Sequence, residues 1–247
     1  MAVPQLERLP ALDELPAIQP DPTIVVSPRT AVRRGRGAAV LERIGLIGFA
    51  AIFALVKARM SDAIDLAITI KLQRRSSPIL ARLMEAVSWP GFPPQSRLIP
   101  PLLVACLALL RLPLEAIAML AAWGTALVAT LVKALMHRER PVAGVDVRVI
   151  AAPLGGSSFP SGHTITYVGI YGFLAYLVHT LLRPIALRRA VVGGLVGLVA
   201  LVGPSRVHQG HHWFTDVTAS YLLGLSYLLG LTRLYRGWKA RGSGERP

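Results

Sequence analysis

Three short stretches of this 247-residue chain carry side chains whose types and spacing suit phosphoryl chemistry: KALMHRERP at 133–141, SSFPSGHT at 157–164 and SRVHQGHHWFTD at 205–216. Lys133 and Arg140 stand seven residues apart, two helical turns, and share a face if the helix continues that far. Two such cations would grip a phosphate, the guanidinium in bidentate fashion. Read singly, Arg138 and Arg140 are equally the positive flank of an apolar segment. In the second stretch Ser161 suits a helix N-cap, and the free amides of Gly162 and its neighbours would form an anion site at the helix start. Gly162 lets the backbone approach an oxyanion closely. His163 stands where it would protonate a departing oxygen; alone, it also reads as an incidental histidine on a capped helix. In the third stretch His212 and Asp216 are i and i+4, so on a helix the carboxylate would hold one ring nitrogen and aim the other at a substrate. That is the arrangement of an activated histidine nucleophile, with Arg206 just upstream to stabilise phosphoryl charge, although a histidine–carboxylate pair is also a common structural element. Together the three stretches supply cations, a helix N-terminus, an acid and an oriented nucleophile, the parts that phosphoryl transfer needs.

The elements that must position these residues are membrane helices. Hydrophobic residues make up 53% of the chain and charged residues 16%, with mean hydropathy +0.52, where a soluble domain carries about a quarter charged residues. Candidate spans lie at 39–57, 96–111, 114–136, 162–182, 188–204 and 214–235, each near the length a bilayer requires. The expected fold is therefore all-α, an integral-membrane bundle of about six transmembrane helices spanning residues 39–235. Residues 58–95 are too polar to span and alternate at helical spacing, which predicts amphipathic interfacial helices. The Gly193 to Gly197 pair suits close helix packing in lipid. Residues 1–38, with six prolines and the basic run Arg29, Arg33, Arg34 and Arg36, read as a disordered tail; residues 236–247 read as a basic cytoplasmic tail. Six spans put both termini inside, with Arg111, Arg183, Arg188 and Arg189 in cytoplasmic linkers, as the positive-inside rule asks. Lys71, Arg74 and Arg75 in the first outer loop run against that rule. All three polar stretches then reach the outer side, and a bacterial inner membrane with the site facing the periplasm is the expected setting.

The net charge of +14 points to anionic lipid headgroups rather than nucleic acid, because no nucleic-acid module with interleaved aromatic and basic residues is present. Cys106 is the sole cysteine, which excludes a disulfide within the chain and a cysteine metal site.

At the three stretches the chain resembles the type 2 phosphatidic acid phosphatase superfamily, which also includes vanadium haloperoxidases. The pattern K-x6-RP, PSGH, SR-x5-H-x3-D is matched by Lys133 to Arg140–Pro141, by Pro160-Ser161-Gly162-His163, and by Ser205-Arg206 to His212 and Asp216. The resemblance covers residues 58–235 and implies that Lys133, Arg140 and Arg206 bind the phosphate, assisted by the Ser161 and Gly162 amides. It implies that His212 attacks phosphorus, that Asp216 orients it, and that His163 protonates the leaving oxygen and then activates water. It implies no metal and no cofactor. One departure is Ser220, where members often carry glycine four residues after the aspartate. His208 and His211 are extra histidines, read here as solvated loop residues more readily than as groups that tune the site. His137 reads as part of the same polar rim, and His179 as a cap on a membrane face. His208 and His212 alone have zinc-like spacing. The expected function is a metal-independent phosphatase acting on a lipid phosphate or pyrophosphate in the membrane through a phosphohistidine. A lipid phosphotransferase would use the same residues. From another class, a lipid transporter or scaffold would also hold charges at membrane depth.

Overall fold

The computed structural model describes residues 28–74, 77–144, 147–150 and 155–242. The described residues form helices α1 (Pro28–Lys57), α2 (Asp62–Arg74), α3 (Pro78–Ser88), α4 (Gln95–Leu109), α5 (Pro113–Trp123), α6 (Thr125–Leu135), α7 (Gly162–Leu181), α8 (Ile185–His208) and α9 (Phe214–Gly242), with a 3-10 turn at Trp89–Gly91. Five stretches are long and apolar enough to cross a bilayer: Gly35–Lys57, Pro113–Leu135, Gly162–Leu181, Ile185–His208 and Phe214–Arg241. The apolar helix α4 is shorter. The molecule is thus the all-α integral-membrane bundle the sequence predicts.

The central element is α7, which packs against α5, α6, α8 and α9, while α1 runs along α9. Over half of α7's most apolar window is buried, against 11% for α1 and 6% for α8. Those two helices therefore turn most of their apolar surface outward, to lipid. The expected third span is realised as two helices, α5 and α6, that join at Gly124. There Thr125 Oγ1 donates to the Ala122 carbonyl at 2.8 Å, recovering an acceptor that the break would orphan. The interfacial segment forms α2 and α3 as expected. The buried stripe of α2 is polar, however: Asp65, Thr69 and Gln73, four residues apart, face the protein.

Three expectations differ from what is observed. Helix α1 starts at Pro28 rather than near 39, so residues 28–38 of the expected tail are helical; residues 1–27 lie outside the described residues. Proline at the first helical position and the arginine-rich run both favour helix there. Helix α9 likewise runs on through residues 236–242 of the expected basic tail, where Lys239 and Arg241 complement the helix C-terminus. Gly193, Gly194 and Gly197 sit on an open face, with nothing within 4 Å of where a Cβ would lie. Close packing falls instead to Gly169, against Ala122 and Thr125, and to Gly203, against Val217 and Tyr221.

Candidate active site

The long connection from α6 to α7 and the short one from α8 to α9 meet at one end of the bundle. Lys133 lies in the last turn of α6, but the helix stops at Leu135 and Met136 is extended (φ −122°, ψ 101°). Arg140 therefore does not share a helical face with Lys133. The two converge because both donate to the same carbonyl, that of Ser157, at 2.6 and 3.3 Å. Gln73 on α2 clamps the returning chain, accepting from the Arg148 amide at 2.9 Å and donating to the Arg148 and His208 carbonyls.

Ser161 caps α7 as predicted, its hydroxyl accepting from Thr164. The Ser161 amide, expected to face an anion, is occupied: it donates to Ser220 Oγ at 2.7 Å, and that hydroxyl donates to the Asp216 carbonyl at 2.6 Å. The one departure from the motif is thus the residue that takes up this amide. Gly162 remains on the wall of the site, with Lys133 Cε 3.9 Å from its missing Cβ.

His212 lies in a bend two residues before α9 rather than on the helix. Its Nδ1 is 2.7 Å from the Ser158 carbonyl, which only accepts, so Nδ1 carries the proton. Nε2 keeps its lone pair and accepts from Arg140 Nη1 at 3.3 Å. Asp216 Oδ2 is 3.6 Å from Nδ1, beyond a hydrogen bond. The carboxylate is engaged elsewhere: Oδ1 accepts from Arg138 at 2.6 Å, and Oδ2 accepts from the Ser158 hydroxyl and from the Trp213 amide at 2.8 Å. Asp216 therefore holds the imidazole through Ser158 and the helix start rather than by direct contact, because Trp213-to-Asp216 closes the first turn of α9 in the manner of a capping box.

Arg206 is fully buried and does not line the cavity. Its donors go to Gln209 and, at 3.1 Å, to His211 Nδ1. The Phe92 ring lies 4.9 Å from its guanidinium carbon and 4.8 Å from the His163 ring, and packs against both. His163 reaches the cavity, and its Nε2 has no partner. His208 and His211, expected in solvent, are 3% and 2% exposed, since the tight end of α8 folds under the connection. His137 and His179 are exposed, and His137 lines a polar recess beside Arg140. Among the described residues no three histidine, cysteine or acidic side chains cluster as metal ligands.

Burial pushes the His212 imidazole down to about 4; Asp216 opposes this, and Arg140 and Lys133 add to it. His211 is likewise pushed down to about 4 by burial and by Arg206. Burial works against the Arg138 guanidinium, but Asp216 and Asp65 outweigh it and raise its value. At neutral pH the His212 ring is therefore an uncharged base.

The cavity these groups border, about 410 Å³, has two ends. Lys133, Arg140, Gly162, His163 and His212 form a cationic end; Pro100, Trp123, Ala126, Ala129 and Ile170 form an apolar end between α4, α5, α6 and α7. The polarity of such a cleft suits an amphiphile, with the cations at one end for an anionic head and apolar side chains at the other for a tail.

A family profile for the PAP2 superfamily matches residues 113–240, just over half the chain. The chain belongs to the PAP2 superfamily. It is similar to phosphatidylglycerophosphatase B of Bacillus subtilis (strain 168), at 39% identity over 83 residues, which are 32% of this chain and 41% of that protein. It is 29% identical over 104 residues to a PA-phosphatase related-family protein of Dictyostelium discoideum, covering 40% of this chain and 30% of that protein. The chain thus spans less than half the length of the curated relatives it matches. Among solved structures its fold is similar to that of the transmembrane PAP2-type phosphatidylglycerolphosphate phosphatase from Bacillus subtilis, with TM-score 0.67, 24% identity, and coverage of 81% of this chain and 96% of that one. Aquifex aeolicus LpxE follows with TM-score 0.53, 21% identity, and coverage of 68% and 94%.

This PAP2 chain also recruits residues that the sequence reading passed over. Arg138, taken as one of several flanking cations, is buried between Asp216 and Asp65. Ser157 and Ser158 supply the carbonyls on which Lys133, Arg140 and His212 are hung. An acid at Asp65 on an interfacial helix was the available signal, since a carboxylate facing apolar neighbours requires a buried cation.

Proposed function

We propose that this protein is an integral-membrane phosphatase that hydrolyses a lipid phosphate or pyrophosphate through a phosphohistidine on His212, without a metal. The observation that carries the reading is the unprotonated Nε2 of His212, which accepts from Arg140 Nη1 at 3.3 Å until a phosphate oxygen takes over that donor, at the cationic end of a cavity whose other end is apolar. In the first step Nε2 attacks phosphorus, the bond from phosphorus to the bridging oxygen breaks, and His163 gives that oxygen a proton. In the second step His163 takes a proton from water, whose oxygen displaces His212 and releases inorganic phosphate. Lys133 and Arg140 carry the charge on the equatorial oxygens, and the Gly162 amide at the start of α7 assists. Arg206 acts from behind Phe92 by its charge rather than by contact, and Asp216 acts on His212 through Ser158. The name of the Bacillus subtilis relative supports a phosphatidylglycerol phosphate or a similar glycerolipid phosphate as substrate. The setting in this reading is a bacterial inner membrane, with the site open to the periplasm.

The test is phosphate release by purified protein in detergent with excess EDTA. Phosphatidate, phosphatidylglycerol phosphate and a polyprenyl pyrophosphate are offered to wild type and to His212→Ala. EDTA-resistant release abolished by the substitution is the expected result. Release that needs added metal, or survives the substitution, refutes the mechanism.

A further inference from the structure

The group the proposed chemistry leaves unused is the guanidinium of Arg138, buried to 9% exposure between two carboxylates. Nη1 lies 2.6 Å from Asp216 Oδ1 on α9, and Nη2 lies 2.6 Å from Asp65 Oδ2 on α2. Thr215 joins them: its amide donates to Asp65 Oδ1 at 2.8 Å and its hydroxyl to Oδ2 at 2.7 Å, while Arg138 Nη1 also reaches Thr215 Oγ1 at 2.8 Å. Ser61 Oγ takes a further donor at 3.1 Å. Asp65 and Asp216 are both fully buried, so neither carboxylate is stable here without the cation.

This arrangement bears on His212 in two ways. A carboxylate alone beside a buried imidazole raises its affinity for a proton and so removes the lone pair from attack. Asp216, 3.6 Å from Nδ1, stands in that position. The same carboxylate also fixes Ser158, whose carbonyl is the direct partner of Nδ1, so any drift of Asp216 turns the ring.

We propose that Arg138, tethered by Asp65, is a positioning residue for the His212 nucleophile: it fixes the Asp216 carboxylate and offsets part of its charge, so that the imidazole faces an ion-paired carboxylate rather than a bare one. The inference rests on the reading of His212 as the nucleophile. It gives the polar stripe of α2 a purpose, because the interfacial helix supplies the acid that holds Arg138 in place. The charged and titratable groups around His212 are Arg140 and Lys133 on one side, His163 from α7, His211 beside it in the chain, and Asp216 from α9. Around Arg138 they are Asp65, Asp216 and the exposed Asp62, 3.6 Å away.

The experiment measures kcat/KM against pH for wild type and Arg138→Gln in EDTA, with whichever lipid wild type turns over best. In parallel, carbethoxylation of His212 against pH is followed by fragment mass spectrometry without substrate. Deleting the cation leaves His212 facing uncompensated carboxylates, so the acidic limb and the carbethoxylation midpoint should both rise by about one pH unit, a tenfold change in proton affinity. A rate loss with neither midpoint moved, or moved down, overturns the proposal, since packing damage alone carries no sign. Should Arg138→Gln fail to fold, Asp65→Asn decides: it removes the competing carboxylate and leaves Arg138 to offset Asp216 alone, so both midpoints should fall, and a rise or no movement overturns the proposal. Phosphate release absent from wild type while the carbethoxylation midpoints shift as stated would refute the phosphatase reading and leave the role of Arg138 standing.

Discussion

Gly169 is where the packing of the bundle and the geometry of the site meet, and a single methyl group tests the connection. A Cβ built there lies 2.5 Å from the Ala122 carbonyl oxygen and 2.5 Å from Thr125 Oγ1, where ordinary contact begins near 3.4 Å. One of these two obstacles is backbone, which cannot rotate aside, so Gly169→Ala forces α7 about 0.9 Å away from the junction of α5 and α6. Those elements carry opposite halves of the site: Lys133 ends α6, and His163 opens α7 six residues before Gly169. Overpacking of this kind costs about 1–3 kcal/mol. A displacement near 1 Å at reacting groups costs on the order of a hundredfold in rate. The expected outcome is a ten- to hundredfold fall in kcat by phosphate release, with a lower unfolding midpoint in mixed micelles. Gly197→Ala, whose Cβ meets nothing within 4 Å, is the control and should stay near wild type in both. A Gly169→Ala protein with wild-type rate and stability would mean that the crossing has slack, and that the positions of Lys133 and His163 are not set by it.

Two further outcomes follow from the same geometry. Ser220→Ala takes the 2.7 Å acceptor from the buried Ser161 amide and leaves it only the Asp216 carbonyl at 3.4 Å, a loss of about 1 kcal/mol; denaturant unfolding should register that loss, and an unchanged midpoint would mean that the longer bond tightens to replace it. The His212 value near 4 lies below the ordinary 6.5, so kcat/KM should hold well below pH 6.5 and fail only toward 4. Between those limits the unfolded chain binds more protons than the folded one. The stability linked to His212 is thus complete above 6.5 and declines as pH falls toward 4. An acidic limb centred near 6.5 would show that the ring is not desolvated as described.

The membrane class, the apolar segments and the three polar stretches were legible in the sequence because each depends on composition or on local spacing. Hydropathy marks where the chain leaves water, and Ser161 marks where α7 begins. What the sequence did not reveal depends on contacts between segments far apart. The helix carrying Lys133 ends five residues before Arg140, and only the Ser157 carbonyl, arriving from 24 residues further on, brings the pair together. The small-residue spacing at Gly193 and Gly197 is correct for a packed helix, yet nothing local tells which face of α8 meets a neighbour. Arg206 matched its motif but is turned behind Phe92, a residue from a loop more than a hundred positions earlier.

The chain has sorted its three cations between 133 and 140 by what they touch. Arg138 is given two carboxylates and is internally neutralised. Lys133 and Arg140 are given neutral acceptors, the carbonyl oxygens of Ser157, Gly155 and His211 and, for Arg140, His212 Nε2, and none of the ion pairs among the described residues involves either of them. Carbonyls fix the direction of a cationic side chain while leaving its charge in place. The cations that border the cavity thus keep their charge for an incoming anion, whose oxygens would take over donors now held by neutral acceptors. Arg140 Nε and His163 Nε2, both buried without a partner, are the remaining unspent groups of that surface. Losing Arg138 would leave Asp216 bare beside His212, and losing Arg140 would leave the cavity without its guanidinium. The position of each cation within the loop, and not only their number, therefore carries the chemistry.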